Sequence, residues 1–317
     1  MLLQKVLEKT STKIIGTALA AVIFASLSGS AYATIGGAVA AGEDDFGITK
    51  VYPTKEGGRE WFIDMDDPED EIFDPRATIE KQSDGSWRVS GHDNGKYQVR
   101  MNVYTPEGSE EWKNVEITGY AKVVRTVGHS SGAGSDLENV LQWYARSGEE
   151  HSDSNPCDGT SIKGRLHLDG TVGWKKEVWH TGGYTDERGS TKAIEQVVDE
   201  RNSKGRYYDG TWFGFKVVIY NIENDSAVKM EAYIDEHATN EWKKVSELVD
   251  DSEWYADSKK FGKEDCDRTR DHVLTEAGPV VAFRSDKIVW DFKDLSVREI
   301  QPPVQDSSVL QFAIFPQ

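Results

Sequence analysis

The sequence predicts an all-β protein, and three observations carry that reading. From Gly47 onward the chain breaks into short stretches of alternating apolar and polar residues, separated by Gly, Asp, Asn and Ser, the pattern of antiparallel strands joined by turns. Helical periodicity does not alternate with these stretches, so a parallel α/β sheet is excluded and a sandwich, barrel or jelly roll is left. No repeat of fixed period runs through the chain.

Ahead of the strands lies a targeting segment. Lys5, Lys9 and Lys13 form a basic start, an uncharged apolar run covers 14–27, and Ala31-Tyr32-Ala33 gives an A-x-A site. Together these predict a signal peptide over 1–33, since the run is short for a membrane span of ~20 residues. Residues 34–46 are small and polar and read as a linker, which leaves 47–317 as a single domain. Within it, strands are expected at 86–90, 97–104, 115–126, 140–146, 162–168, 214–221, 228–234, 280–284, 287–292 and 296–300. The pair 214–221 and 228–234 reads as a hairpin, with a glycosylation sequon at Asn224-Asp225-Ser226 on its tip. Ala193, Ile194, Val197 and Val198 have helical spacing and predict one short helix over 191–201. Residues 244–275 read as a long polar excursion.

The net charge is −18 over 317 residues. Such a balance disfavours nucleic acid as a partner and suits a soluble exported protein. Cys157 and Cys266, the two cysteines of the chain, are expected to pair once exported.

Period-2 alternation sorts the strand residues by face. One face is apolar: Leu141 and Trp143; Leu166 and Leu168; Phe215, Val217 and Ile219; Val228, Met230 and Ile234. The other carries Glu116 and Tyr120; Gln142, Tyr144 and Arg146; Arg165 and His167; Lys216 and Tyr220; Glu231 and Tyr233. Tyrosine rings with fixed polar neighbours are what a sugar-binding groove needs, because rings cover the apolar sugar face while polar groups satisfy hydroxyls. A plain solvated surface is the alternative.

The segments Trp112–Tyr120, Gln142–Arg146, Lys175–His180 and Trp212–Asn221 resemble the concanavalin A-like jelly rolls, which include lectins, laminarinases and polysaccharide lyases. The resemblance implies a two-sheet antiparallel jelly-roll sandwich and a polysaccharide partner. It also implies a lyase-like site in which Tyr144, Arg146, His167, His180 and Tyr220 act on a uronate, while Glu116, Tyr120, Gln142, Arg165, Glu177 and Lys216 bind substrate. The lyase motifs themselves are not present. A non-catalytic carbohydrate-binding or surface-adhesion module is the second reading. A glycoside hydrolase using Glu116, Glu177 and Glu231 is the third, although the E-x-D-x(x)-E strand of the glucanases is missing.

Two further signals stay in competition. Gly128-His129-Ser130-Ser131-Gly132 matches G-x-S-x-G, but lacks the helix and parallel sheet that a nucleophile elbow requires. Asp64, Asp66, Asp67, Glu69, Asp70, Glu71 and Asp74 form an acidic run that reads as a solvated loop, with Ca²⁺ as its alternative use. No other cofactor is expected.

Overall fold

The computed structural model describes residues 34–35, 38–39, 41–91, 98–127, 139–149, 152–180, 182–193, 210–259, 261 and 266–303. The signal segment 1–33 and the G-x-S-x-G stretch lie outside them. Two compact units divide the chain at Val39/Ala40. In the first, the described part is a short antiparallel pair, β1 (Thr34–Ile35) and β2 (Ala38–Val39).

The second unit is a two-sheet antiparallel jelly-roll sandwich. Its strands are β3 (Glu60–Phe62), β4 (Phe73–Asp74), β5 (Ile79–Lys81), β6 (Trp87–Val89), β7 (Gln98–Tyr104), β8 (Val115–Thr126), β9 (Val140–Ser147), β10 (Ser161–His167), β11 (Thr171–Glu177), β12 (Arg188–Lys192), β13 (Trp212–Ile222), β14 (Ala227–Asp235), β15 (Lys243–Asp250), β16 (Val280–Asp286) and β17 (Ile288–Glu299). One sheet has seven strands in the order β12-β11-β10-β9-β16-β7-β4. The other has eight, β15-β14-β13-β8-β17-β6-β5, with β3 also paired to β17. Between them lies one apolar core that includes Leu141, Trp143, Leu166, Phe215, Val217, Ile219, Val228, Met230 and Ile234. The alternation read from the sequence therefore assigns the core faces of β9, β10, β13 and β14 correctly. A slip of one residue would have turned every side chain over.

Four expectations change. Of the helix expected over 191–201, Thr191 and Lys192 instead end edge strand β12, and 194–201 lie outside the described residues. The polar excursion begins with a strand: β15 pairs with β14, and its inward positions Ser246 and Asp250 are polar but buried, so no apolar alternation marks it. The stretches 287–292 and 296–300 are one strand, bent where the register to β8 shifts between Lys293 and Ser296 and Asp294 takes φ 54°. Finally, 41–46 do not behave as a linker. Asp44 caps a turn by accepting from Phe46 N (3.0 Å) and Ile48 N (2.9 Å), and the Phe46 ring meets Phe62 edge-on at 5.1 Å.

Cys157 and Cys266 form a disulfide with Cα atoms 5.3 Å apart. It ties the loop after β15 to the loop between β9 and β10. Arg268 reinforces the tie by donating to the carbonyls of Cys157 and Val178.

Candidate functional site

Each sheet has an outer face, and the expected site residues divide between the two. The outer face of the eight-stranded sheet takes Glu116, Tyr120, Lys216 and Tyr220. That of the seven-stranded sheet takes Gln142, Tyr144, Arg165, His167 and Glu177. The first group is spent on structure. Residues 41–60 cross the eight-stranded sheet as a strap, and Glu116 lies beneath it, held by Lys216 (2.7 Å) and Arg298 (2.5 Å), all three side chains at most 2% exposed. Val51 N donates to Glu116 and Lys216 Nζ donates to Thr49 O, so the ions also fix the strap backbone. Tyr120 is buried against Trp242 and donates to Asp235 (3.1 Å). Tyr220 shares a hydroxyl contact with Tyr52 (3.3 Å), and burial pushes its phenol up to about 12. Glu231 accepts from Tyr52 (2.8 Å) and Tyr233 (2.9 Å). Glu177 stands on the opposite side of the sandwich from Glu116 and Glu231. Glu116 and Glu231, both opposite Val218, lie about two strand spacings apart, within the ~5–10 Å of a glycosidase pair, but both are buried and engaged by Lys216 and Arg298 or by Tyr52 and Tyr233.

Arg146 leaves the face of Tyr144. Val280 pairs with Ser147 and Ala282 with Tyr144, so Ala145 and Arg146 both stand opposite Val281 in a bulge, and Arg146 takes φ 63°. The bulge re-aims the side chain into a buried position, where it donates to the carbonyls of Leu274 and Lys113. Burial lowers its guanidinium to about 9. Gly278 permits the approach, because a Cβ there would lie 2.6 Å from the Arg146 backbone.

What remains on the seven-stranded sheet is a polar floor built in rows. Cross-strand register places Arg165, Gln142, Arg284 and Arg100 side by side on β10, β9, β16 and β7. Three strand spacings give this row about 14 Å. The adjacent outward row is Lys175, Lys163, Tyr144, Ala282 and Asn102. Arg284 chelates Asp286 (2.9 and 3.2 Å), which also accepts from Gln142 (2.8 Å). Burial opposes the Arg284 charge, but Asp286 wins and raises its pKa. Arg165 pairs with Glu187, which His167 Nε2 meets at 3.0 Å. Burial would raise the Glu187 carboxyl, yet His167 and Arg165 hold it below the usual range.

In the second row, Ala282 is small and the polar atoms on either side of it are under-satisfied. Among the described residues Asn102 Oδ1 is buried without a hydrogen-bond partner, and the buried Tyr144 hydroxyl has only a loose contact with the Arg100 guanidinium. Burial raises the Tyr144 phenol, against the pull of the Arg100 and Arg284 charges. Lys163 stands 5.6 Å from the Tyr144 ring and 5.2 Å from that of Tyr184. It pairs with Glu177 at 2.5 Å, and burial brings it down to about 8. Glu177 in turn meets His180 Nδ1 at 2.8 Å, and Tyr184 Oη lies 3.4 Å from the same nitrogen.

Arg100, Arg284, Lys163 and Tyr184 were not singled out from the sequence. Lys163, Arg284 and Arg100 alternate with core residues on their strands, so the period-2 reading held the signal for them; Tyr184 follows β11 and carried none.

Two clefts lie elsewhere. One of about 350 Å³ is lined by Lys55, Glu110, Lys113 and Glu299, the other, of about 410 Å³, by Asp235, His237, Glu241 and Trp242. The acidic run is used locally: Asp64 caps 66–67, and Asp70 accepts from Trp61 Nε1 and from the amides of Ile72 and Phe73. Among the described residues no three His, Cys, Asp or Glu side chains converge as for a metal, and no helix is long and apolar enough to cross a membrane.

No family model and no curated protein matches the sequence. Solved structures overlap it at low scores. A seed lectin of Lotus tetragonolobus has 9% identity and a TM-score of 0.41, over 77% of this chain and all of the lectin. Lectin I of Ulex europaeus, solved with the methyl glycoside of α-L-fucose, has 7% and 0.39, over 76% and 97%. The exoplasmic/lumenal domain of VIP36, in a Ca²⁺/Man3GlcNAc-bound form, has 10% and 0.38, over 75% and 88%. At these TM-scores the overlaps carry no weight, and the site rests on its own residues.

Proposed function

We propose that this chain is an exported carbohydrate-recognising jelly roll that binds an acidic, uronate-containing polysaccharide on the outer face of the seven-stranded sheet. One observation carries the reading. A protein of net charge −18 sets Arg284 and Arg100 side by side, next to two buried and under-satisfied polar atoms, Tyr144 Oη and Asn102 Oδ1. A buried polar atom without a partner costs about 1–3 kcal/mol, and a ligand that reaches it relieves that cost. A sugar carboxylate suits the two guanidinium groups, and ring hydroxyls suit the phenol and amide.

The non-catalytic module is the reading the geometry favours, because Lys163, Arg165 and Arg284 are already held by carboxylates within the protein. A lyase remains as a second reading on the strength of the Glu177–His180–Tyr184 chain. A buried carboxylate orients the imidazole as it would orient a general base. His180 would remove the C5 proton and a phenol, kept protonated by burial, would protonate the leaving glycosidic oxygen. Calorimetric titration with neutral and uronate-containing polysaccharides tests the binding claim, and absorbance of the unsaturated product tests turnover. Saturable binding of the uronate polymer without new absorbance is the expected result. Equal affinity for neutral polymers, or no binding to either, overturns it.

A further inference from the structure

A second buried pair, on the opposite face of β11 from the polar floor, has chemistry of its own. Lys176 on β11 and Asp250 at the end of β15 meet across the edge of the sandwich, Nζ to Oδ2 at 2.6 Å, both side chains fully buried. The Lys176 Nζ also donates to His272 O (2.8 Å), and the Trp254 ring lies 5.4 Å away. Asp250 Oδ1 is buried without a well-formed hydrogen bond among the described residues, the Ser252 backbone N–H being the carboxylate's further donor. An ion pair in such a place carries a desolvation cost for both ions that is repaid only when every lone pair and proton is satisfied, and here the carboxylate is under-satisfied.

We propose that Lys176 and Asp250 are joined in the folded protein by an amide bond between Nζ and Cγ. The neutral amine attacks the carboxylic acid carbon, the C–N bond forms, and one carboxyl oxygen leaves as water with the acid proton and one amine proton. Atoms and electrons balance with no oxidant or co-reactant. The contacts suit the product: its single N–H donates to His272 O, and one oxygen remains where two stood. Burial pushes both partners toward the neutral forms that react, lowering the lysine and raising the aspartic acid. The bond would tie the seven-stranded sheet to the eight-stranded one, in the same region that Cys157–Cys266 ties by its loops. It is independent of the glycan reading.

Peptide mapping of the full-length protein, purified folded and then reduced, decides the matter. The expected species is a branched tryptic pair containing residues 176 and 250, one water lighter than the sum of its peptides, with no cleavage after Lys176. Lys176→Arg should abolish the branched species, since its guanidinium does not condense. Linear peptides that end at Lys176 and carry an unmodified Asp250, recovered in full yield from the wild type, overturn the proposal.

Discussion

At the scale of single residues, Tyr144 and Arg146 exchange the roles that their spacing suggests. Two residues apart on a strand, they are expected to share a face, but a bulge opposite Val281 separates them. Nothing in the local sequence announces that bulge, since no glycine stands at the position that takes φ 63°. Arg146 is therefore a structural tie between Leu274 and Lys113, and Arg146→Ala should cost stability, about 1–3 kcal/mol. Urea unfolding reads that loss, and glycan affinity of the folded variant should stay within about twofold. Tyr144→Phe should behave in the opposite way. Among the described residues its buried hydroxyl has only a loose contact with Arg100, so the variant should stay close to the wild type in stability, while binding falls. A melting temperature that drops with Tyr144→Phe would place the hydroxyl in the fold instead of the site. Tyr220 adds a pH dependence. Its folded phenol lies at about 12 against an ordinary 10.0, so the unfolded chain loses this proton first. The stability this group contributes is complete below pH 10 and is lost between 10 and 12. Tyr52, Tyr120, Tyr184 and Tyr233 are raised by burial too. Tyrosinate absorbance should therefore rise together with unfolding, and ionisation of all five in a still-folded protein would contradict this.

At the scale of elements, strands with one apolar face were legible and strands without one were not. β8, β13 and β14 follow their expected bounds closely because Val, Ile and Phe alternate with polar residues along them. β12 has all five residues exposed, and β15 turns Ser246 and Asp250 inward, so neither shows a hydrophobic period. Alternation also says which face a residue takes but not which sheet its strand joins. For that reason Tyr120, Lys216 and Tyr220 were pooled with Tyr144 and His167, although the core lies between them. The strap 41–60 was equally hidden, because its hold on the sheet comes from Glu116, Lys216 and Arg298, three polar residues brought together from β8, β13 and β17. Removing one member should expose that dependence. Glu116→Ala leaves Lys216 and Arg298 buried without their anion, at about 3–5 kcal/mol, and the strap should become the first segment cut in limited proteolysis. Unchanged proteolysis would mean that Phe46, Tyr52 and the backbone contacts hold the strap unaided.

At the scale of the whole molecule, charge and covalent ties complete the account. The disulfide joins residues 109 apart in sequence, and reducing it should lower stability by about 4–5 kcal/mol in the chain-entropy account. A denaturant midpoint that does not move on reduction would show that the loop packing alone holds this region. The strongly acidic chain keeps Arg100 and Arg284 together on one face, and that contrast is the central claim. The most direct measurement is calorimetric titration of a uronate polysaccharide, with a matched neutral polymer as control, into the wild type, Arg100→Gln and Tyr144→Phe, all at low salt. The account predicts saturable wild-type binding of the uronate polymer, weakened about tenfold or more by each substitution, because a hydrogen bond to a charged group is worth about 1.5–3 kcal/mol. Variants that bind as tightly as the wild type would contradict it.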